Sequence, residues 1–310
     1  MKKYLLPCLL ACSALLTAWP VSAQPKTFSF GVIAQAFKKN ADDSILREAI
    51  ADSDADNLAF VVANGIKGDD EPCSDKLYSK RKKVFESAKN GLVLSLTGND
   101  WIECKTANGR PASIERLSRV RDVFFSDEFT FGASKIPLVR QSATPKFNTY
   151  VENARWEFGD ILFATINLPA NNNYYLPDAG RNGEFEDRLI ANRDWLKRLA
   201  VIATRKKLDG IVIFCDGNES LIEAPGKTGK RDGFAEMRKE IAALAARFQG
   251  KVLLIQGQGG ANQAPMNRIA WRGNLGNLVP AAGWTKVTVE RSNPALFTVS
   301  ENTVIVGNQR

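Results

Sequence analysis

Short runs of β-branched and apolar residues, "TFSFGVIA", "NLAFVVAN", "GLVLSLTG", "DILFATINLP", "DGIVIFCD" and "KVLLIQGQ", punctuate this chain at intervals too wide for hairpins. Between them stand "DDSILREAIADS", "SDKLYSKRKKVFESAK", "SIERLSRVRDVFF", "FEDRLIANRDWLKRLAVIATRKK" and "FAEMRKEIAALAARF", where apolar residues return every three to four positions, as on one face of a helix. Strands separated by helices pair in parallel, with the helices covering the sheet. The end of the chain, "TKVTVERSNPALFTVSENTVIV", alternates polar and apolar residues about a turn at Ser292-Asn293-Pro294, which reads as antiparallel strands with one wet face. The pattern predicts an α/β fold: one mixed sheet or two packed sheets, helices outside, with residues 24–310 as a single domain.

The first residues set the compartment. "MKKYLLPCLLACSALLTAWPVSA" joins two lysines to an apolar run and a small-residue ending, the form of a secretory signal cut after Ala23. The expected location is periplasmic or secreted, and no later stretch is apolar enough for a membrane span. Of five cysteines, Cys73, Cys104 and Cys215 remain after cleavage. Cys73 and Cys104 lie in polar loops, whereas Cys215 ends an apolar strand, so a Cys73–Cys104 disulfide and a buried free Cys215 thiol are expected. Loop closure of that length is worth about 3–4 kcal/mol.

Charge and composition exclude several functions. The net charge of +8 falls to +6 without Lys2 and Lys3, and the basic run "SKRKK" reads as the solvent face of a helix, so nucleic acid is not an expected partner. No histidine occurs anywhere, which removes histidine triads, histidine general bases and histidine-ligated zinc. Gly226-Lys227-Thr228 resembles part of a phosphate loop, but Leu221 stands where that motif needs its first glycine.

Ligands of parallel α/β sheets bind beyond the carboxyl ends of the strands. Those ends carry Gln35, Asn64, Asn99, Asp100, Asp216, Gln256 and Gln258, with Asn171 and Asn172 in a long loop beside the aromatic pair Tyr174-Tyr175. Carboxamides dominate this rim. They offer paired donors and acceptors to a polar ligand but are weak neutral ligands for a cation.

Taken in order, "FVVANGIKGDDEPCSD", "TGNDWIECKT", "IERLSRVRDVFF", "ENARWEFGDILFATINLPANNNYY" and "IQGQGG" resemble the motifs of an exported branch of the calcineurin-like metallophosphoesterases, from about Phe28 to Phe297. The resemblance implies mixed β-sheets packed as a sandwich flanked by helices, and it also matches Cys73 to Cys104. It implies as well that the metal ligands are lost. The family's first metal-binding Asp falls at Gln35, its bridging Asp is missing from Ala63-Asn64-Gly65, and the "HGDTH" side chains fall at Gln256, Gln258 and Gly260. Only the motif Asn survives, as Asn99, with Asp100 beside it. The reading that follows is a monomeric, exported pseudoenzyme that binds an unknown polar ligand and carries no cofactor. The alternative is a divalent-metal phosphoesterase with an atypical site at Asn99, Asp100 and Asp216.

Overall fold

The structure, a computed structural model, describes residues 26–37, 43–177, 180–225, 231–257 and 268–300. The signal segment, Gly226-Lys227-Thr228 and Gln258 lie outside the described residues. All six sequence-predicted strands form: β1 (Thr27–Ala34), β2 (Val61–Asn64), β3 (Leu92–Ser95), β6 (Ile161–Thr165), β7 (Gly210–Cys215) and β8 (Lys251–Gln256). The sequence reading omits β4 (Val139–Arg140), β5 (Ala154–Phe158), β9 (Ala270–Arg272) and β10 (Leu275–Leu278). These are short or interrupted by charged residues, and they pair at the margins of a sheet. The terminal alternation becomes β11 (Gly283–Glu290) and β12 (Phe297–Ser300).

Two mixed sheets result, in the orders β12-β11-β1-β2-β3 and β4-β5-β6-β7-β8-β10-β9. β1, β2 and β3 run parallel, as do β6, β7, β8 and β10, while β11 pairs antiparallel with β1 along its whole length. Successive side chains of a strand point to opposite faces, so each strand contributes to two cores. In the first sheet Phe30, Val32, Phe60, Val62 and Val93 face inward. They meet Phe163, Val212, Phe214, Leu253 and Ile255 of the second, which makes the sheets a face-to-face pair.

The alternate residues point outward. Ile33, Val61, Ala63, Leu92 and Leu94 pack under helices α1 (Ser44–Asp54), α2 (Asp75–Glu86) and α3 (Ser113–Phe124). Leu162, Ile211, Ile213, Val252 and Leu254 pack under α4 (Gly183–Lys206) and α5 (Ala235–Arg247). Trp195 of α4 is core, as its helical spacing predicts. No helix among the described residues is long and apolar enough to cross a membrane.

Cys73 and Cys104 form a disulfide with Cα atoms 5.6 Å apart, and Cys215 is free and buried. Cys104 is itself buried, at odds with the polar loop its sequence suggests, because its sulfur packs against the Tyr78 hydroxyl. The solvent-face reading of "SKRKK" also needs correction at one position. Arg81 is fully buried, with Nε on Ile66 O at 2.9 Å and Nη2 on Glu71 Oε1 at 2.5 Å. Its Nη1 faces Asp43 Oδ2 at 3.1 Å without the alignment of a hydrogen bond.

Candidate functional site

Because β1, β2 and β3 are parallel neighbours, their carboxyl ends share one edge of the sheet. There the chain leaves regular structure in three unlike ways. After β1, Gln35 takes φ 52°, a left-handed conformation that a side chain with a Cβ adopts at a cost of about 1–2 kcal/mol. After β2, Gly65 takes φ 89° and lies so close to the Thr97 side chain that a Cβ would crowd it. After β3, Thr97 caps a short 3-10 turn, Gly98–Asp100, through reciprocal bonds with Asp100.

These turns enclose a cleft of about 280 Å³ lined by Gln35, Asn64, Thr97 and Asn99. Phe37 and Lys67 complete the wall, and the exposed Asp69 and Asp70 form the rim. A larger groove of about 600 Å³ lies between α4 and α5, lined mainly by apolar side chains and by no strand-end residue. The chemistry that the sequence points to belongs to the smaller, polar cleft.

Of the sequence candidates, Gln35, Asn64 and Asn99 therefore line one cleft. Gln35 Nε2 donates to Pro280 O at 3.1 Å, and Asn64 Nδ2 donates to Cys215 O at 3.3 Å. The Asn64 side chain lies over Gly257, where any Cβ would collide with its Oδ1. That contact explains one glycine of "QGQGG". Asn99 Nδ2 donates to Asp69 Oδ1.

Asp100, Asp216 and Gln256 sit behind this wall, all at 1% exposure or less. Asp100 Oδ1 accepts from Ile66 N at 2.7 Å and Lys67 N at 3.2 Å, and its Oδ2 accepts from Thr97 N at 2.8 Å. Burial pushes this carboxyl up from its ordinary value, against the pull of those N–H groups and of Lys67. Asp216 Oδ2 accepts from Gly98 N and Ala170 N, each at 2.8 Å, and its Oδ1 has no hydrogen-bond partner. Burial is the main cause that pushes Asp216 up to about 7. Gln256 Nε2 donates to Asn277 Oδ1 at 2.7 Å, leaving Oε1 unpartnered.

Asn171 and Asn172 stand elsewhere. Asn172 ties its loop to Arg231 O and Gly233 N, and neither residue reaches the cleft. Tyr174 and Tyr175, beside them, are half-buried. They pack edge-on against Trp101 and Phe185, with ring centroids 4.7 and 5.3 Å apart. Lys67 is the residue that sequence reasoning missed. It is 4% exposed, its Nζ donates to Gly68 O at 2.6 Å and Asn99 O at 3.1 Å, and burial lowers its pKa against the charges of Asp100, Glu71, Asp69 and Asp70. Its only signal was its place in the strand-end turn, just beyond Gly65-Ile66.

The Asp100 oxygens are committed to backbone N–H groups, and Gln35 and Asn64 turn amide nitrogens to carbonyls. Among the described residues no three or more Cys, Asp or Glu side chains are grouped to hold a cation.

The chain matches no protein-family model and no curated protein. Among solved structures it is similar to one described as a novel phosphatase of Mycoplasma pneumoniae, over 89% of this chain and 91% of that chain. The identity is 10% and the TM-score 0.43.

Proposed function

We propose that residues 24–310 form an exported, catalytically degenerate relative of the calcineurin-like phosphoesterases, a pseudoenzyme that binds a polar ligand in its strand-end cleft without a metal cofactor. The observation that carries this reading is the use made of the carboxylates. Asp100 and Asp216, the acidic side chains nearest the strand ends, are buried and spent on holding backbone N–H groups, while the cleft is faced with carboxamides. A hydrolytic metal centre needs carboxylate oxygens turned toward the substrate, to hold cations and to help generate a hydroxide. Here three of those four oxygens act as internal braces for the loops that shape the cleft.

One observation favours the alternative, a phosphoesterase using Asn99, Asp100 and Asp216: the unpartnered Asp216 Oδ1. Elemental analysis of protein purified from an oxidising compartment, with a manganese-supplemented phosphodiester assay, separates the two. Substoichiometric metal and no turnover above buffer are expected. Stoichiometric metal with turnover that disappears in Asp216→Asn would establish the hydrolase instead.

A further inference from the structure

The groove between α4 and α5 is built by the sequence from two facing stripes. β6, β7 and β8 are parallel neighbours, so α4 and α5, the helices that connect them, run parallel to each other and end at the same edge of the sheet. On α4, Lys197, Val201 and Arg205 recur every fourth position along one face, with Leu196, Ala200 and Thr204 one position before each. On α5, Glu240, Ala243, Leu244 and Arg247 follow the same period, and Phe248 adds to the floor just past the helix. Between them lies a trough of about 600 Å³, floored by apolar side chains of both helices. Lys197 and Arg205 stand about 12 Å apart along it by helical rise.

The charges of this trough are one-sided. Among the described residues, Glu240 is the only acid that lines it, and Arg193 already holds that carboxylate at 3.0 Å. Lys197, Arg205 and Arg247 line it as well, all exposed, and none makes a hydrogen bond or ion pair among the described residues. The contrast within α4 is sharp. Its four basic residues outside the groove, Arg188, Arg193, Arg198 and Lys206, are each paired with a carboxylate, whereas the two that line it are not. Arg205 and Arg247 stand in the last turns of their helices, where a cation also complements the helix dipole. That account does not reach Lys197, which lies more than two turns before the end of α4, since the dipole effect falls off within the last turn.

We propose that this groove binds a single-chain anionic amphiphile, an alkyl chain ending in a carboxylate. The chain lies on Leu196, Ala200, Leu244 and Phe248, with the stem of Lys197 beside it. The head group sits at the end marked by Arg205 and Arg247, whose planar guanidiniums suit the paired oxygens of a carboxylate. A cationic amphiphile would meet three like charges. The occupant is a free molecule rather than a bilayer, because a trough takes one chain along its length, whereas a bilayer is met by protruding apolar side chains. Of the exposed large apolar residues among those described, only Val201 belongs to this groove. The volume falls in the range of small-molecule sites. The groove shares no residue with the strand-end cleft, so the proposal stands apart from the pseudoenzyme reading.

The test is titration calorimetry and thermal unfolding of the mature protein with dodecanoate below its micelle concentration, against dodecyltrimethylammonium, dodecyl maltoside and acetate. Dodecanoate should bind saturably and raise the Tm, while acetate, which lacks the chain, and the cationic amphiphile should not. Its affinity should fall roughly tenfold in Arg205→Gln/Arg247→Gln, the loss of two exposed charge contacts. Both side chains are exposed, so the fold should survive. Ala243→Trp, which fills the trough from α5, should abolish binding. Lys239→Gln, exposed on α5 outside the groove, should change nothing. Equal binding of dodecyl maltoside or dodecyltrimethylammonium overturns the head-group assignment. No binding of dodecanoate, or an affinity indifferent to both groove variants, overturns the site. Without dodecanoate binding, capture by phosphatidylglycerol vesicles makes the groove a membrane face, and a dimer that Val201→Asp dissociates makes it an interface between copies; either result also overturns the proposal. None of these outcomes bears on the metal content or the phosphodiester assay, which test the pseudoenzyme reading separately.

Discussion

Asp216 holds two loops with one oxygen and leaves the other without a partner, and that asymmetry governs the expected response to pH. Its carboxyl titrates near 3.8 in an unfolded chain and is pushed up to about 7 in the fold, first by burial and then by the charges of Asp100 and Asp69. A raised carboxyl binds its proton more tightly when folded. Its contribution is therefore most favourable below about pH 4 and declines as pH climbs to about 7, by roughly 4 kcal/mol at most. An asparagine in its place would keep an acceptor for Gly98 N and Ala170 N without the charge. Asp216→Asn should thus be neutral or stabilising at pH 7 and should flatten the fall in Tm between pH 4 and 7; parallel pH profiles for the two proteins would discard this account. Gln35 invites a similar comparison. Gln35→Gly relieves the left-handed backbone by about 1 kcal/mol but leaves Pro280 O without its buried donor at a cost of about 1–3 kcal/mol, so chemical denaturation should show no gain in stability.

At the scale of elements, the loop between β2 and α2 is braced from below by a helix residue. Arg81 of α2 holds Ile66 O and Glu71, and Glu71 in turn holds Gly68 N, so a buried guanidinium fixes the loop that carries Lys67, Asp69 and Asp70. Removing one partner of a buried ion pair strands the other. Arg81→Ala should cost about 3–5 kcal/mol in denaturant unfolding and increase amide exchange at Gly65–Gly68. This brace was not legible in the sequence, where Arg81 sits inside the unbroken polar run "SKRKK". The helical period does put it on the face of Tyr78, Val84 and Phe85, three and four positions away, so the burial of this position was readable and only its partners were not. The strands and helices themselves were legible, because β1 to β3 and β6 to β8 carry unbroken apolar runs. β5, "ARWEF", hides because it alternates charged residues with core ones near the margin of its sheet. Asn171 and Asn172 misled for a related reason. The Asn172 amide closes a loop against Arg231 and Gly233, and nothing local distinguishes a carboxamide that ties a loop from one that meets a ligand.

The whole molecule depends on the seam between its sheets. Phe60 lies at the centre of that seam, stacked on Phe30 with centroids 5.4 Å apart and edge-on to Trp156 and Phe163. Phe60→Ala should lower stability by about 3–5 kcal/mol, with both sheets still unfolding in one transition by circular dichroism and tryptophan fluorescence; two separated transitions would mean that the sheets are independent units. Strand spacing left one mixed sheet or two packed sheets open, and which edges would share a cleft was not readable either, since both follow from pairing order rather than from any one segment. The placement of Cys215 at the end of β7, between β6 and β8, has a further consequence for how the molecule is made. Its thiol is hidden only once three strands have assembled, so in a reduced, unfolded chain it competes with Cys73 and Cys104 as an oxidation partner. Chain synthesis from the N-terminus gives the correct pair, 31 residues apart, the first opportunity to react. A chain refolded all at once lacks that head start, and its yield of native disulfide is set by a race between sheet assembly and thiol oxidation.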